Sequence, residues 1–259
     1  MDFINYKYFL LIFIGFVAGI INTIAGGGSL LTLPMLIFMG LPSSIANGTN
    51  RIAILIQNFF STAGFKSKGI QTFPFSFWMG ISALFGAIVG AYLGAIYFKD
   101  EIFNKILAVV MILIVIYMIF KPKASFTEFS ERISGKFFWF QIIAFFFIGI
   151  YGGFIQAGTG IFIILALNSI GHISLIKSNA IKAVVVILYT LSALAIYAYN
   201  DKIDYVMGFT LAIGNASGAW LASRYSVSKG DGLVRWFLII MVSIMALKLW
   251  LPNLFSFTF

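Results

Sequence analysis

The sequence has no cysteine, one histidine and only eight acidic residues among its 259 residues. Without cysteine there is no disulfide framework, no thiolate nucleophile and no zinc–thiolate site. Charged residues make up 10% of the chain and hydrophobic residues 61%, whereas soluble domains contain about 25% charged and roughly 45–50% apolar residues. This composition excludes a soluble enzyme, a disordered chain and a secreted disulfide scaffold. It predicts an integral membrane protein.

The acidic residues lie only between the apolar runs or at their ends. They are Asp2, Asp100, Glu101, Glu128, Glu131, Asp201, Asp204 and Asp231. Ionisable residues inside membrane spans are costly and usually functional, so their absence there argues against a carboxylate proton relay or a carboxylate sodium site. The single histidine, His172, lies in a predicted loop and is assigned no chemistry. No metal or other cofactor is predicted.

Basic residues exceed acidic residues by 17 to 8. On a soluble protein this excess would suggest nucleic-acid binding, but here the basic residues fall between apolar runs, where they set membrane topology. The predicted partner is therefore the lipid bilayer and not nucleic acid.

Eight apolar runs are candidates for helices that cross the hydrocarbon core, which takes about 20 residues. They cover residues 6–25, 50–65, 73–98, 103–120, 137–157, 179–199, 205–223 and 234–251. Two shorter runs, 29–40 and 160–170, each follow a Gly-rich break. The first run leads into glycines rather than an Ala-x-Ala cleavage site, so we expect it to stay as a helix. The pattern predicts an all-α polytopic membrane protein.

The small-residue landmarks of the first half recur in the same order in the second half. The correspondences are Gly15 and Gly19 with Gly149 and Gly153, residues 25–28 with 157–160, residues 47–51 with 178–182, and Gly86, Gly90 and Gly94 with Gly214, Gly218 and Ala222. They predict a first transmembrane repeat at 1–120, a cytoplasmic linker at 121–136 and a second repeat at 137–259. Each repeat is expected to hold about four long helices and one short broken helix.

The loop charges predict how the repeats face the membrane. If each broken pair returns to its starting side, one side receives Lys66, Lys68, Lys121, Lys123, Arg132, Lys136, Lys177, Lys182, Arg224, Lys229 and Arg235, and the other receives Lys7, Arg51, Lys99, Lys105, Lys202 and Lys248. The richer side, with 11 of the 17 basic residues, is expected to be cytoplasmic. Both termini would then lie outside the cytoplasm, and the repeats would have inverted topology, as in many transporters.

Each Gly-rich break opens a short helix, and the positive N-terminal end of a helix favours an anion. A break at membrane depth must line protein or a wet cavity, because unpaired backbone groups cannot face lipid. Two breaks at matched positions therefore favour a binding site, although glycines that only allow close helix packing are the alternative. The candidate substrate-binding residues here are Asn22, Gly26, Gly27, Gly28, Ser29, Gln156, Gly158, Thr159 and Gly160.

Arg51 and Lys182 occupy matched positions at the predicted starts of two long helices. The polar clusters beside them add Thr49, Asn50 and Asn179 to the candidate site. One interpretation is that both cations snorkel to lipid headgroups. The other is that they supply positive potential to the two entrances of an anion path, on opposite faces of the membrane.

These motifs together resemble the TauE/SafE sulfite exporter family over nearly the whole chain. The residues that carry the resemblance are 15–19, 25–29, Leu33 and Pro34, 40–42, 46–50, and the second copy at 152–153 and 157–160. The resemblance implies a transporter of small sulfur-containing anions, such as sulfite, thiosulfate or organosulfonates, that works outward across a bacterial inner membrane. The second copy departs from the first where Ala166 replaces Pro34 and Ile181 replaces Asn50.

Other functions stay open at this stage, although an enzyme is not predicted. A passive anion channel would share polar breaks and cationic vestibules, and a structural protein would transport nothing. An intramembrane serine protease would use Ser29, but Leu31 replaces the last glycine of the G-x-S-x-G turn and only His172 could be its base. The Gly86, Gly90 and Gly94 ridge could form a homodimer or pack within the chain.

Overall fold

The computed structural model describes residues 2–97, 99–120, 130–225 and 232–250, with side chains described from residue 6 in the first range and from residue 238 in the last. The described residues form ten α-helices and one π-helical turn. The first half contains α1 (Asp2–Ala25), α2 (Ser29–Phe38), α3 (Ser43–Ser67), α4 (Phe75–Tyr92) with the π turn Leu93–Tyr97, and α5 (Asp100–Phe120). The second half contains α6 (Gly135–Phe154), α7 (Thr159–Ser169), α8 (Leu175–Tyr199), α9 (Tyr205–Tyr225) and α10 (Gly232–Trp250).

The predicted all-α polytopic fold is confirmed. All eight long runs and both short runs are helical, which gives four long helices and one short helix in each half. Five described helices are long and apolar enough to cross a membrane: Tyr6–Ala25, Phe75–Tyr97, Asp100–Phe120, Gly135–Phe154 and Leu175–Tyr199. Two predicted starts are wrong, because α3 begins at Ser43 and α8 at Leu175, ahead of the polar clusters rather than after them.

The helices of the two halves pack against one another in a reciprocal way. Helix α1 lies along α9, and its counterpart α6 lies along α4. The glycine contacts repeat position by position: a Cβ on Gly15 would lie 2.7 Å from the carbonyl oxygen of Leu211, and its counterpart Gly149 abuts the carbonyl of Ala83. Close backbone approach of this kind needs small residues. The reciprocal packing supports a duplication, and the placement of the halves in the membrane stays a prediction.

The Gly86 and Gly90 ridge packs within the chain. A Cβ on either residue would meet the α6 backbone, at the carbonyl of Phe146 or of Ile150. This ridge is therefore not free to form a homodimer, and a dimer through another surface stays a prediction. Residues 121–129 of the predicted linker at 121–136 lie outside the described residues.

Two apolar clusters surround the centre of the molecule. One joins α2, α5 and α10 through residues such as Leu33, Met111 and Leu238. The other joins α4, α6, α7 and α8 through residues such as Met79 and Phe145. Residues of both breaks, among them Leu30, Ile155 and Ala157, belong to the first cluster, so apolar packing holds the breaks in the interior.

Candidate functional site

The two helix breaks meet in the interior. Gly26, with φ of 79°, and Gly158, with φ of 73°, both take left-handed backbone conformations that turn the chain from one helix to the next. A Cβ on Gly26 would lie 2.5 Å from the carbonyl carbon of Gly160. Residues 26–30 and 155–161 are buried. The two Gly-rich breaks are thus in direct backbone contact.

Ser29 joins the breaks by hydrogen bonds to the other half. Its hydroxyl donates to the Gln156 carbonyl oxygen at 3.2 Å and accepts from the Gly158 amide at 3.0 Å. The Thr159 hydroxyl donates to the same Gln156 carbonyl at 2.8 Å. Gln156 itself has φ of 66°, an uncommon conformation for a residue other than glycine. In this conformation the Ser29 hydroxyl joins the two breaks, the Thr159 hydroxyl closes the turn of its own break, and neither hydroxyl faces an open site.

The side chain of Arg51, a residue of α3, reaches the C-terminal end of α6. It is fully buried, with 0% of its surface exposed. Its guanidinium donates to the carbonyl oxygens of Gly152 at 3.1 Å and Gly153 at 2.5 Å, and its Cζ lies 4.5 Å from the centroid of the Tyr197 ring. The last carbonyls of a helix lack intrahelical partners and carry partial negative charge. Arg51 of the first half therefore caps the broken helix of the second half.

Lys182 makes the reciprocal contact at the end of α1. Its ammonium donates to the carbonyl oxygens of Asn22 at 2.5 Å and Thr23 at 3.3 Å and to Asn179 Oδ1 at 2.7 Å, and only 1% of its surface is exposed. Asn179 Nδ2 in turn donates to the Ile24 carbonyl at 2.8 Å. Each half thus supplies the cation that caps the other half's broken helix.

These positions correct the expected surroundings of both cations. Arg51 and Lys182 lie about two turns inside α3 and α8, not at the helix starts, and both are buried. Neither snorkels to headgroups, and neither lies in an open entrance in this conformation. When Arg51 and Lys182 are left out, the numbers of basic residues on the two sides of the membrane fall from 11 and 6 to ten and five. The predicted orientation is therefore unchanged.

The structure does not bring every candidate residue to the breaks. The Thr49 hydroxyl accepts a hydrogen bond from the Asp204 amide at 2.8 Å and so ties α3 to the turn before α9. The Asn22 side chain packs against Gly28, and only its carbonyl contacts Lys182. Gly27 faces the side chains of Leu238 and Ile161. The roles of all these residues in binding stay predictions.

Three further residues lie beside the breaks and were not predicted from the sequence: Asn47, Tyr189 and Tyr197. Asn47 Nδ2 donates to the Phe154 carbonyl and to the Tyr197 hydroxyl, both at 2.6 Å. Tyr189 is buried against Gly152 and Thr159. The signal for Asn47 was present, because it opens the polar cluster before Arg51, whereas tyrosines in an apolar helix carry no comparable pattern.

Several buried polar atoms near the breaks have no hydrogen-bond partner: the donors Arg51 Nε, Asn50 Nδ2 and Thr23 Oγ1 and the acceptors Gln156 Oε1 and Asn47 Oδ1. Asn50 Oδ1 accepts from the Thr32 hydroxyl of α2 at 2.7 Å. The ion pairs of the described residues, Lys105 with Glu101 and Lys177 with Glu131, lie at the surface, so no described carboxylate balances Arg51. The described residues also contain no cluster of His, Asp and Glu able to hold a metal ion. Anion binding by these residues stays a prediction.

Comparison with known proteins shows the family to which this chain belongs. The sequence matches the family described as sulfite exporter TauE/SafE over residues 11–249. It is 30% identical over 243 residues to a probable membrane transporter protein of Haemophilus influenzae, and this match covers 93% of each of the two chains. It is 28% identical over 240 residues to the probable membrane transporter protein YfcA of Escherichia coli K12, covering 93% of this chain and 88% of that protein.

A probable membrane transporter protein of a Sinorhizobium species is 26% identical over 234 residues, covering 90% of this chain and 88% of its own. No solved structure matches the chain. The family match spans nearly the whole sequence, and the helical membrane architecture agrees with it. The chain is a multi-pass membrane protein that belongs to the TauE/SafE sulfite exporter family of membrane transporters.

Proposed function

We propose that this transporter carries a small sulfur-containing anion, such as sulfite, thiosulfate or an organosulfonate, outward across the bacterial inner membrane. The substrate would bind between the halves where the two breaks meet. The observation that carries the proposal is Arg51, a fully buried cation at the end of α6 with no described carboxylate beside it. The family description supports the sulfur anion and the outward direction.

The electrostatic argument starts from the cost of burying a cation. A charge taken out of water needs compensation, and carbonyl dipoles with an aromatic face supply only part of it. A bound oxyanion would supply the rest and would accept from Arg51 Nε and Asn50 Nδ2, two donors that have no partner within the protein. At an effective dielectric near 20, a unit charge about 6 Å from Arg51 gains on the order of 2–3 kcal/mol.

The close contact of the breaks favours a carrier over a passive channel. Gly26 lies against Gly160, and Ser29 is hydrogen-bonded across the interface, so substrate could reach this point only if the halves moved apart. Movement of one repeat against the other around a central site is the usual mechanism of carriers with duplicated folds.

The hydrogen bonds of Ser29 oppose the protease alternative. Its hydroxyl proton goes to a backbone carbonyl, and its oxygen accepts from a backbone amide. A serine nucleophile needs a base positioned to take its proton, and His172 lies in the turn between α7 and α8. Membership of a transporter family points the same way.

The purified full chain in liposomes tests the proposal. Vesicles loaded with unlabelled thiosulfate or sulfite should take up the labelled anion by exchange, with saturation, and Arg51→Gln should abolish most of this uptake. Saturable exchange without unitary electrical currents supports a carrier, and unitary currents support a channel instead. Absence of exchange or binding for sulfite, thiosulfate and sulfonates alike contradicts the proposed substrate class.

A further inference from the structure

Beyond the breaks, the core contains polar side chains that have no role in the site described above. Gln57 and Ser61 of α3 and Asn215 of α9 are all buried, with exposures of 1%, 1% and 0%. Both side-chain polar atoms of Gln57, both of Asn215 and the hydroxyl of Ser61 have no hydrogen-bond partner. Five unpartnered atoms on three buried side chains form a distinct feature, which we call the amide cluster.

The packing of the helices places the members of the amide cluster within about one helical turn of one another. Helices α3 and α9 run in the same direction, because Gly208 abuts Ile52 and Gly64 abuts Ser223. This register puts Asn215 level with Gln57, and the Asn215 backbone also touches Gly19 of α1. Ser61 lies one turn beyond Gln57 on the same face of α3. The cluster therefore lies between α1, α3 and α9.

The amide cluster lies on one side of the breaks. Gln57 follows Arg51 by six residues, which is about 9 Å along a helix. The direction is toward Lys66 at the end of α3, the side that the loop charges predict to be cytoplasmic. A substrate path between α1, α3 and α9 from that side to the breaks would pass these side chains.

A buried polar group without a partner loses its hydrogen bonds to water and gains none in return, which is unfavourable. Such groups are normally matched by water or by a ligand. The duplication shows that the fold does not need them here: the position that corresponds to Gln57 is Leu188, and the one that corresponds to Asn215 is Ala87, both packed in the other half. The Ser192 hydroxyl, which corresponds to Ser61, donates to the carbonyl oxygens of Tyr189 and Leu84.

We propose that the amide cluster is a second, uncharged anion-binding station on the path between the breaks and the end of α3 that carries Lys66. This rests on the proposed function, since the same substrate would occupy it. The Gln57 and Asn215 amide nitrogens and the Ser61 hydroxyl donate to the anion. A cation is disfavoured at this position, because Arg51 and Lys182 give the core positive potential. Neutral donors bind an anion more weakly than Arg51 and so allow release.

The cysteine-free chain allows a direct test in the full protein. The Ser61→Cys variant in liposomes is treated with a sulfonate-bearing methanethiosulfonate or with its trimethylammonium analogue. The rate at which each reagent modifies the cysteine is divided by the rate at which it reacts with free 2-mercaptoethanol. We expect the anionic reagent to react at least about tenfold faster, which corresponds to a difference of about 1.4 kcal/mol. Unmodified protein, which has no thiol, is the blank, and Ser192→Cys is the matched control and should stay unreactive.

Equal rates, faster reaction of the cationic reagent, or no reaction of Ser61→Cys overturns the station. This result does not depend on which substrate the protein carries. If wild-type protein transports no sulfur anion but Ser61→Cys shows anion preference, the substrate class fails and the station stands.

A second measurement replaces the cluster with the residues of the other half. The double variant Gln57→Leu, Asn215→Ala should retain or raise the melting temperature, because the fold accepts these residues at the matched positions. Thiosulfate exchange at saturation should fall at least about tenfold, while equilibrium binding at the breaks changes less than about threefold. Wild-type exchange rates in the double variant, or a lower melting temperature, overturn the proposal.

Discussion

Gly26 and Gly160 lie backbone against backbone where the two broken helices meet. A Cβ on Gly26 would lie 2.5 Å from the Gly160 carbonyl carbon, and Gly26 has φ of 79°. Any side chain at Gly26 would therefore strain its own backbone and push the breaks apart. Gly27, the next residue, has no such restriction, since its Cβ would lie 3.0 Å from the flexible end of Leu238.

We predict that Gly26→Ala abolishes transport and lowers thermal stability, whereas Gly27→Ala retains both. The left-handed conformation alone costs a residue with a Cβ about 1–2 kcal/mol, and the contact with Gly160 adds to this. Anion exchange in liposomes and thermal unfolding of the purified variants measure the two effects. Normal exchange by Gly26→Ala would show that the breaks need not meet, and loss of exchange with Gly27→Ala would assign that glycine a role beyond packing.

Ser29→Ala should destabilise the junction of the halves. It removes the acceptor of the Gly158 amide and the donor to the Gln156 carbonyl. A buried amide without a partner costs roughly 1–3 kcal/mol. The melting temperature should fall, and exchange should fall with it. Ser67→Ala is a suitable control, because the Ser67 hydroxyl only donates to the Gly64 carbonyl of its own helix; an equal effect of both changes would contradict a special role for Ser29.

The sequence sufficed for the order of helices and for the position of the breaks. Apolar runs of span length predict helices directly, and α2 and α7 follow their glycines as expected. The polar residues before Arg51 misled the prediction of the helix start, because Asn47 and Asn50 are weak helix formers that here are buried and hydrogen-bonded to other helices. Tertiary contacts outweigh local propensity at such positions.

The partners of the cations could not be predicted from the sequence. Spacing along one chain pairs Arg51 with Lys182 by duplication, but it does not indicate that each caps the broken helix of the opposite half. That relation depends on how the halves pack. Gln57 and Asn215 could not be predicted for a similar reason. An isolated amide side chain in a polar or small-residue stretch is common, and it becomes unusual only when the structure shows that it is buried without a hydrogen-bond partner.

The topology prediction is tested with two reporter fusions. An enzyme reporter that works only outside the cytoplasm should be active at the C-terminus, and one that works only inside should be active when inserted between residues 121 and 136. The prediction rests on the distribution of basic residues between the two sides of the membrane. Without the buried Arg51 and Lys182, ten basic residues lie on one predicted side and five on the other, compared with 11 and 6 in the full count. Reporters that place both points on one side of the membrane would contradict the inverted repeats.

Arg51 and Lys182 are the two buried cations at the ends of the broken helices. If these cations attract the anion, Arg51→Gln and Lys182→Gln should each weaken apparent affinity, and the corresponding Glu variants should weaken it further. One unit charge close to the substrate in a partly buried site is worth on the order of 1–3 kcal/mol, or roughly tenfold or more in affinity. Arg51→Lys keeps the charge and should lose much less affinity.

Burial decides how these effects respond to salt. Because both side chains are at most 1% exposed, salt should screen their attraction only weakly, and the losses in the Gln variants should persist at high ionic strength. Lys105→Gln removes a charge from an exposed pair with Glu101 and should leave affinity unchanged. Equilibrium binding and thermal unfolding on the same variants separate attraction from capping: a cation that only caps a helix end would lose stability with affinity intact. Unchanged affinity in both Gln variants would exclude a role for these charges in binding.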